Sequence, residues 1–188
     1  MLEPKGETLV RVAASAPGSA AGGDPKSSHA GSALLFLREE EIWLAQDLMF
    51  FAYRDFTNAA DVILEELGLG RAHHRALHFI GRHPGITVSE LLSILRITKQ
   101  SLARVLNELI ERGDVEQSPG LGDRRQRLLR LTRAGEALEQ RLFARQRAVL
   151  AAAMERAGPE AIRGFRAVMR DIMDESARAW VDLAPRPG

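Results

Sequence analysis

The sequence predicts a mostly α fold with a small β-wing, in which long helices at both ends flank a compact middle segment. Three observations predict it. Over residues 39–67 and again over 133–181, apolar side chains recur at three- and four-residue spacing, the mark of helices with one packed face. Between these stretches, helix-capping residues bracket a very short interhelical turn. Two strand-like runs then follow, separated by a turn rich in Gly and Pro. Composition agrees with this division: aromatic residues make up only 5% of the 188-residue chain, and abundant Ala, Leu and Arg favour helix over sheet. With no cysteine, disulfides, thiolate metal sites and cysteine nucleophiles are all excluded. No apolar run approaches the roughly 20 residues that span a bilayer, and no continuous apolar signal core opens the chain, so a cytoplasmic location without a membrane partner is expected.

Residues 1–32 are rich in Ala, Gly, Ser and Pro and hold few bulky apolar side chains, too little burial to offset the entropy of ordering. A disordered extension is expected. A first dimerisation segment, 33–70, follows, with Ile42, Ala45, Leu48, Met49, Ala52, Phe56, Ala59, Val62, Ile63 and Leu67 in helical register. Glu39-Glu40-Glu41 suits the positive start of that helix, and Gly68 and Gly70 close it. Nearly thirty residues make a rod of about 43 Å, too long for a small domain to cover alone.

The middle segment, 71–132, begins with a helix over 71–82, ended by His83-Pro84-Gly85 because proline disfavours helix at the preceding residue. Ile86 can add a short third strand. Thr87 and Glu90 form a capping box, starting a short helix over 88–95. Only Arg96 and Ile97 separate it from the next cap, Thr98, which is the spacing of a helix-turn-helix. From Thr98 to the stop at Gly113, Leu102, Val105, Leu106 and Leu109 fall on one face, with Gln100, Ala103, Arg104, Asn107 and Glu111 opposite. The strand-like runs 115–118 and 126–131 enclose a turn, 119–125, that carries Arg124 and Arg125, with Arg127 just beyond it.

Helix, tight turn, amphipathic helix and basic hairpin together describe a winged helix-turn-helix domain. An α-helix fits the DNA major groove, and Arg, Gln and Asn make paired hydrogen bonds to guanine or adenine edges, so Gln100, Arg104 and Asn107 are placed to read bases. Thr98, Lys99 and Ser101 lie at the start of the same helix. The guanidinium groups of Arg124, Arg125 and Arg127 suit phosphates and a narrow minor groove. Between Arg96 and Arg133 stand nine Lys/Arg against five Asp/Glu on a chain that nets only +1. Positive charge is therefore concentrated where the groove-reading helix lies.

Helical segments resume after Thr132. The first, to about residue 156, has Leu138, Leu142, Val149, Leu150 and Met154 as its apolar positions; Gly158-Pro159 breaks it. A single last helix is then expected over 159–181, with the stripe Ile162, Phe165, Val168, Met169, Ile172, Met173 and Trp180. The second dimerisation segment is thus 133–183. Stripes at both ends of the chain need a partner surface, and the same helices of a second copy supply it: a homodimer holding its two recognition helices about 34 Å apart on a palindromic duplex.

From Leu67 to Leu138 the sequence resembles the MarR family of bacterial transcriptional regulators, through Asp123-Arg124-Arg125 and then Leu131-Thr132-Arg133-Ala134-Gly135, the family's D-x-R and L-T-x-x-G wing signature. The run around His73 to His83 is similar to the PetP-like branch of that family. The resemblance implies that Asp123 orients the wing, Arg125 enters the minor groove and the helix from Thr98 reads the major groove. It also implies a small-molecule effector, often phenolic or aromatic, between the winged domain and the dimer helices, with no other cofactor.

Two other readings compete for particular residues. His74 and His78 share a helix face at the spacing of metal ligands, but nothing nearby completes a metal site; lining the effector junction is the expected role. Ser89, Ser93 and Ser101 lie in helices rather than on a nucleophile elbow, and Leu67-Gly-Leu-Gly70 lacks the strand and third glycine of a nucleotide loop, so no enzyme is expected. The alternative function is a winged-helix architectural or protein-interaction module without base-specific readout, since fold alone does not fix function.

Overall fold

The computed structural model describes residues 38–120, 122 and 125–183. The expected extension over 1–32, together with Asp123 and Arg124, lies outside the described residues. In chain order the elements are α1 (Glu39–Glu66), α2 (Arg71–Arg82), β1 (Ile86–Thr87), α3 (Val88–Leu95), α4 (Lys99–Glu111), β2 (Val115–Pro119), β3 (Arg127–Leu131), α5 (Arg133–Ile172) and α6 (Glu175–Leu183). The chain divides into two compact units at Arg54.

In the first unit, the opening half of α1 exposes Ile42, Trp43, Leu44, Leu48, Phe50, Phe51 and Tyr53. The Arg54 guanidinium lies 4.9 Å from the Phe51 ring centroid, a cation–π contact.

The second unit holds the core. Its largest fully buried side chains are Leu64, Leu77, Ile80, Leu91, Leu102, Leu109, Leu129 and Leu142, drawn from α1 to α5 and from the sheet. The end of α1 joins it through Thr57, Ala60, Ile63 and Leu64. Only Ile63 of that group belongs to the stripe predicted for the helix; Val62 is exposed, so α1 carries a second apolar face. Gly68, at φ 68, turns the chain out of α1.

The three strands form an antiparallel sheet in the order β1-β3-β2. Ile86 faces Leu129 and Val115 faces Leu131, so buried apolar residues on both outer strands sit across from β3. Thr132 ends β3 and starts α5: its hydroxyl accepts from the Gly135 N–H at 3.1 Å and donates to the Gly113 carbonyl at 2.6 Å. A Cβ on Gly135 would lie 1.9 Å from the Asp114 carbonyl oxygen, which is the physical reason this position holds glycine.

The C-terminal helices differ from expectation at one place. Gly158, at φ 78 and ψ 170, interrupts α5 where the Gly-Pro pair predicts a break. A single helix over 159–181 does not form. Met173 is extended, and the Asp174 carboxylate accepts from the Ala177 N–H at 2.8 Å, capping a separate helix α6. Asp174 also pairs with Arg96, in the turn between α3 and α4. A new cap and a tertiary ion pair replace helical continuity there.

Candidate nucleic-acid interface

The position of α4 follows from its own sequence. Thr98 caps it, accepting from the Ser101 N–H at 3.1 Å, while Leu102, Val105, Leu106 and Leu109 are buried. Arg96 makes the turn in left-handed geometry, φ 51, where a non-glycine residue is uncommon. Thr98, Lys99, Gln100, Ser101, Arg104 and Asn107 are all exposed on this helix, so its predicted polar face is brought together on the surface. No acidic residue lies in the first turn, leaving the positive helix start open to an anion.

The hairpin stands beside it in sequence and is held by the register Ser118 to Leu128 and Pro119 to Arg127. The Gly120 N–H donates to the Gln126 carbonyl at 3.0 Å, tightening the neck of the turn. Arg125 and Arg127 are exposed at and just after that turn.

A group of contacts absent from the sequence reading ties α4 to the start of α2. The Gly70 N–H donates to His73 Nδ1 at 3.0 Å, and the His73 N–H donates to the Gly70 carbonyl at 3.0 Å. With Nδ1 accepting, the ring proton sits on Nε2, which donates to Glu108 Oε2 at 2.7 Å. The other Glu108 oxygen accepts from Arg104 Nε at 2.9 Å. Arg104, and secondarily His73, hold the Glu108 carboxyl below the usual range by hydrogen bonding to its ionised form. Sequence offers only a faint signal for this, a glycine with histidine in the third helical position.

The two histidines expected at an effector junction separate. His78 lines a cavity of about 360 Å³ between α2, α3 and α6, along with Phe79, Arg82, Ile94, Arg96 and Trp180. His74 is not among its lining residues. The i, i+4 pair sits on one helix face, and α6 meets the end of α2 that carries His78 and His83. His83 meets Trp180 edge to face at 5.0 Å, and His78 Nδ1 lies 3.5 Å from the Glu139 carboxylate. Burial first, and then His78, lower the pKa of His74; burial and then Arg82 lower that of His83. Among the described residues, no three His, Asp or Glu side chains form a group able to hold a metal ion, and no helix is long and apolar enough to cross a membrane.

With this geometry in hand, similarity to known proteins is specific. Residues 67–126 match the model of the MarR family. A relative from Rhodobacter capsulatus, the HTH-type transcriptional regulator PetP, is 50% identical over 148 residues, covering 79% of this chain and 89% of the relative. Among solved structures, the crystal structure of MarR is similar with a TM-score of 0.59 and 25% identity, over 73% of this chain and 93% of that one. A MarR mutant from E. coli complexed with operator DNA has a TM-score of 0.57 at 21% identity, over 71% and 96%.

Proposed function

The chain belongs to the MarR family, and from that premise we propose that it is a cytoplasmic, homodimeric, sequence-specific DNA-binding transcriptional regulator. One observation carries the reading: α4 buries four apolar side chains and presents Gln100, Arg104 and Asn107 on its exposed side. Side chains of those types on a helix of that exposure match the hydrogen-bonding pattern of base edges in the major groove. Half the aligned residues of the relative, itself named a transcriptional regulator, are identical to this chain's.

In this mechanism α4 enters the major groove, with Thr98, Lys99 and Ser101 meeting phosphates at its start. Arg125 and Arg127, together with Arg124 of the same turn, clamp the adjoining minor groove, while Asp123 orients the wing. Phosphate neutralisation supplies affinity and the base contacts supply choice. Homodimerisation covers the apolar residues exposed along α1, where Trp43 and Leu48 are each 60% accessible. Two copies related by a two-fold axis then engage two half-sites of a palindrome.

A small amphipathic effector fits the cavity beside His78, whose walls mix Phe79, Ile94 and Trp180 with Arg82 and Arg96. Because Arg96 also begins the turn into α4, a ligand there would bias the recognition helix, and coupling of about 1–3 kcal/mol is enough to change operator occupancy. No metal, other cofactor or catalytic residue takes part.

Selection of bound duplexes from a random DNA pool, repeated with Arg125→Ala, tests the proposal. The expected result is a palindromic enriched site bound more weakly by the variant. Salt-sensitive binding with no enriched sequence would overturn it in favour of an architectural role.

A further inference from the structure

The Glu108 carboxylate lies on the same helix as the proposed base-reading residues, an awkward place for negative charge beside DNA. Both of its oxygens are engaged: Oε2 by His73 at 2.7 Å and Oε1 by Arg104 at 2.9 Å. His73 is itself fixed, being buried and locked to Gly70 through Nδ1. A rigid point at the start of α2 is therefore connected, through one carboxylate, to an arginine whose side chain is 82% accessible.

We propose that His73 is a positioning residue for DNA recognition, acting through Glu108 to hold Arg104 in the orientation that selects its base pair. The proposal rests on the base-reading role given to Arg104 above. With Nε committed to Glu108, Arg104 offers DNA the edge formed by its two terminal nitrogens, whose spacing matches O6 and N7 of guanine. An untethered arginine of such exposure samples many rotamers and reaches phosphates as readily as bases, giving affinity without choice. Glu108 alone would restrain Arg104 only loosely, as an exposed i, i+4 partner does. The second hydrogen bond, from the immobile His73, turns that partner into a fixed support.

The two ring nitrogens of His73 separate cap from tether, and the experiment uses this. In His73→Asn the amide oxygen can still accept from Gly70, but the side chain is too short to reach Glu108. In His73→Gln the amide N–H can replace Nε2–H toward Glu108, at the expense of the Gly70 bond. Affinities are measured for the full chain on the duplex recovered by selection and on its single base-pair exchanges, alongside thermal unfolding. Arg104→Ala first identifies the base pair whose discrimination depends on that arginine.

At that base pair His73→Asn is expected to lower discrimination at least about fivefold, the lower end for a paired arginine–guanine contact, with little change in Tm. His73→Gln is expected to retain discrimination despite a lower Tm. Glu108→Ala, which leaves the Gly70 bond intact, should behave as His73→Asn does, and neither change should add to Arg104→Ala. Unchanged discrimination in His73→Asn and Glu108→Ala, with a loss in Arg104→Ala, would overturn the positioning role and leave base reading intact. No loss in Arg104→Ala would overturn both.

Discussion

Gly135 and His74 show how much a single position can carry. At Gly135 a methyl group would overlap the Asp114 carbonyl, at 1.9 Å, and that carbonyl already accepts from the Thr132 N–H at 3.0 Å. Neither neighbour is a flexible side chain that can step aside. Gly135→Ala is expected to destabilise the fold by about 3 kcal/mol or more, read as a lower denaturant midpoint; wild-type stability would refute this account of the L-T-x-x-G glycine. His74 acts through charge. Its pKa is lowered by burial first and by His78 second, against smaller opposing effects of Glu139 and Asp61. The unfolded chain therefore takes up this proton before the folded chain does. The stabilisation is fully present above the ordinary imidazole value of about 6.5 and is lost as pH falls through it toward the lower folded value. His83 is shifted in the same direction. Thermal unfolding is expected to give a Tm that drops between about pH 7.5 and about pH 5.5, with a smaller drop in His74→Gln; equal drops would remove His74 from the explanation.

Caps and breaks govern the elements. Thr87 and Glu90 satisfy each other's backbone donors at the start of α3, at 2.8 and 3.2 Å, and Thr98 starts α4 within a few residues of the end of α3. Thr98→Ala removes an acceptor for the Ser101 N–H and is expected to cost about 1 kcal/mol, measurable as a shift of the urea midpoint at constant slope. Gly158 has the opposite task. Its φ of 78 with ψ of 170 is a region open essentially to glycine, and nothing lies within 4 Å of where a Cβ would stand. Gly158→Ala thus meets backbone strain without any clash, an expected cost of about 1–3 kcal/mol. An unchanged Tm would mean that the break in α5 tolerates other conformations.

At the scale of the whole molecule, apolar surface is the dominant feature. Leu44 and Leu48 are 59% and 60% accessible on α1, and Phe165, Val168 and Ile172 remain exposed on α5. In the proposed homodimer, the exposed apolar side chains of α1 are the surface that the second copy covers. Leu48→Glu is expected to yield a monomer by sedimentation at micromolar concentration. Its affinity for a two-half-site duplex should fall by about a hundredfold, because the second half-site is no longer reached at high effective concentration. A dimer of unchanged affinity would place the interface elsewhere.

Much of this architecture is legible in the sequence because its signals are local. Helical apolar spacing, the Thr87 and Thr98 caps and the Pro84-Gly85 stop place α2, α3 and α4, and the polar face of α4 follows from helical geometry alone. Less legible is where a chain's own side chains compete. The stripe through Met173 to Trp180 reads as one helix, yet Asp174 caps a new one and reaches Arg96, 78 residues away. His74 and His78 look equivalent by spacing, and only the docking of α6 on one end of α2 makes them different. The bond between His73 and Glu108 spans 35 residues and has no periodicity to announce it. Sequence by itself determined the elements and the chemistry on their faces, since hydrogen-bond geometry and apolar repeat act over a few residues. Which charged groups meet, and so by what Arg104 of α4 is held, was decided only when distant segments were brought within hydrogen-bonding distance by burial of a shared core.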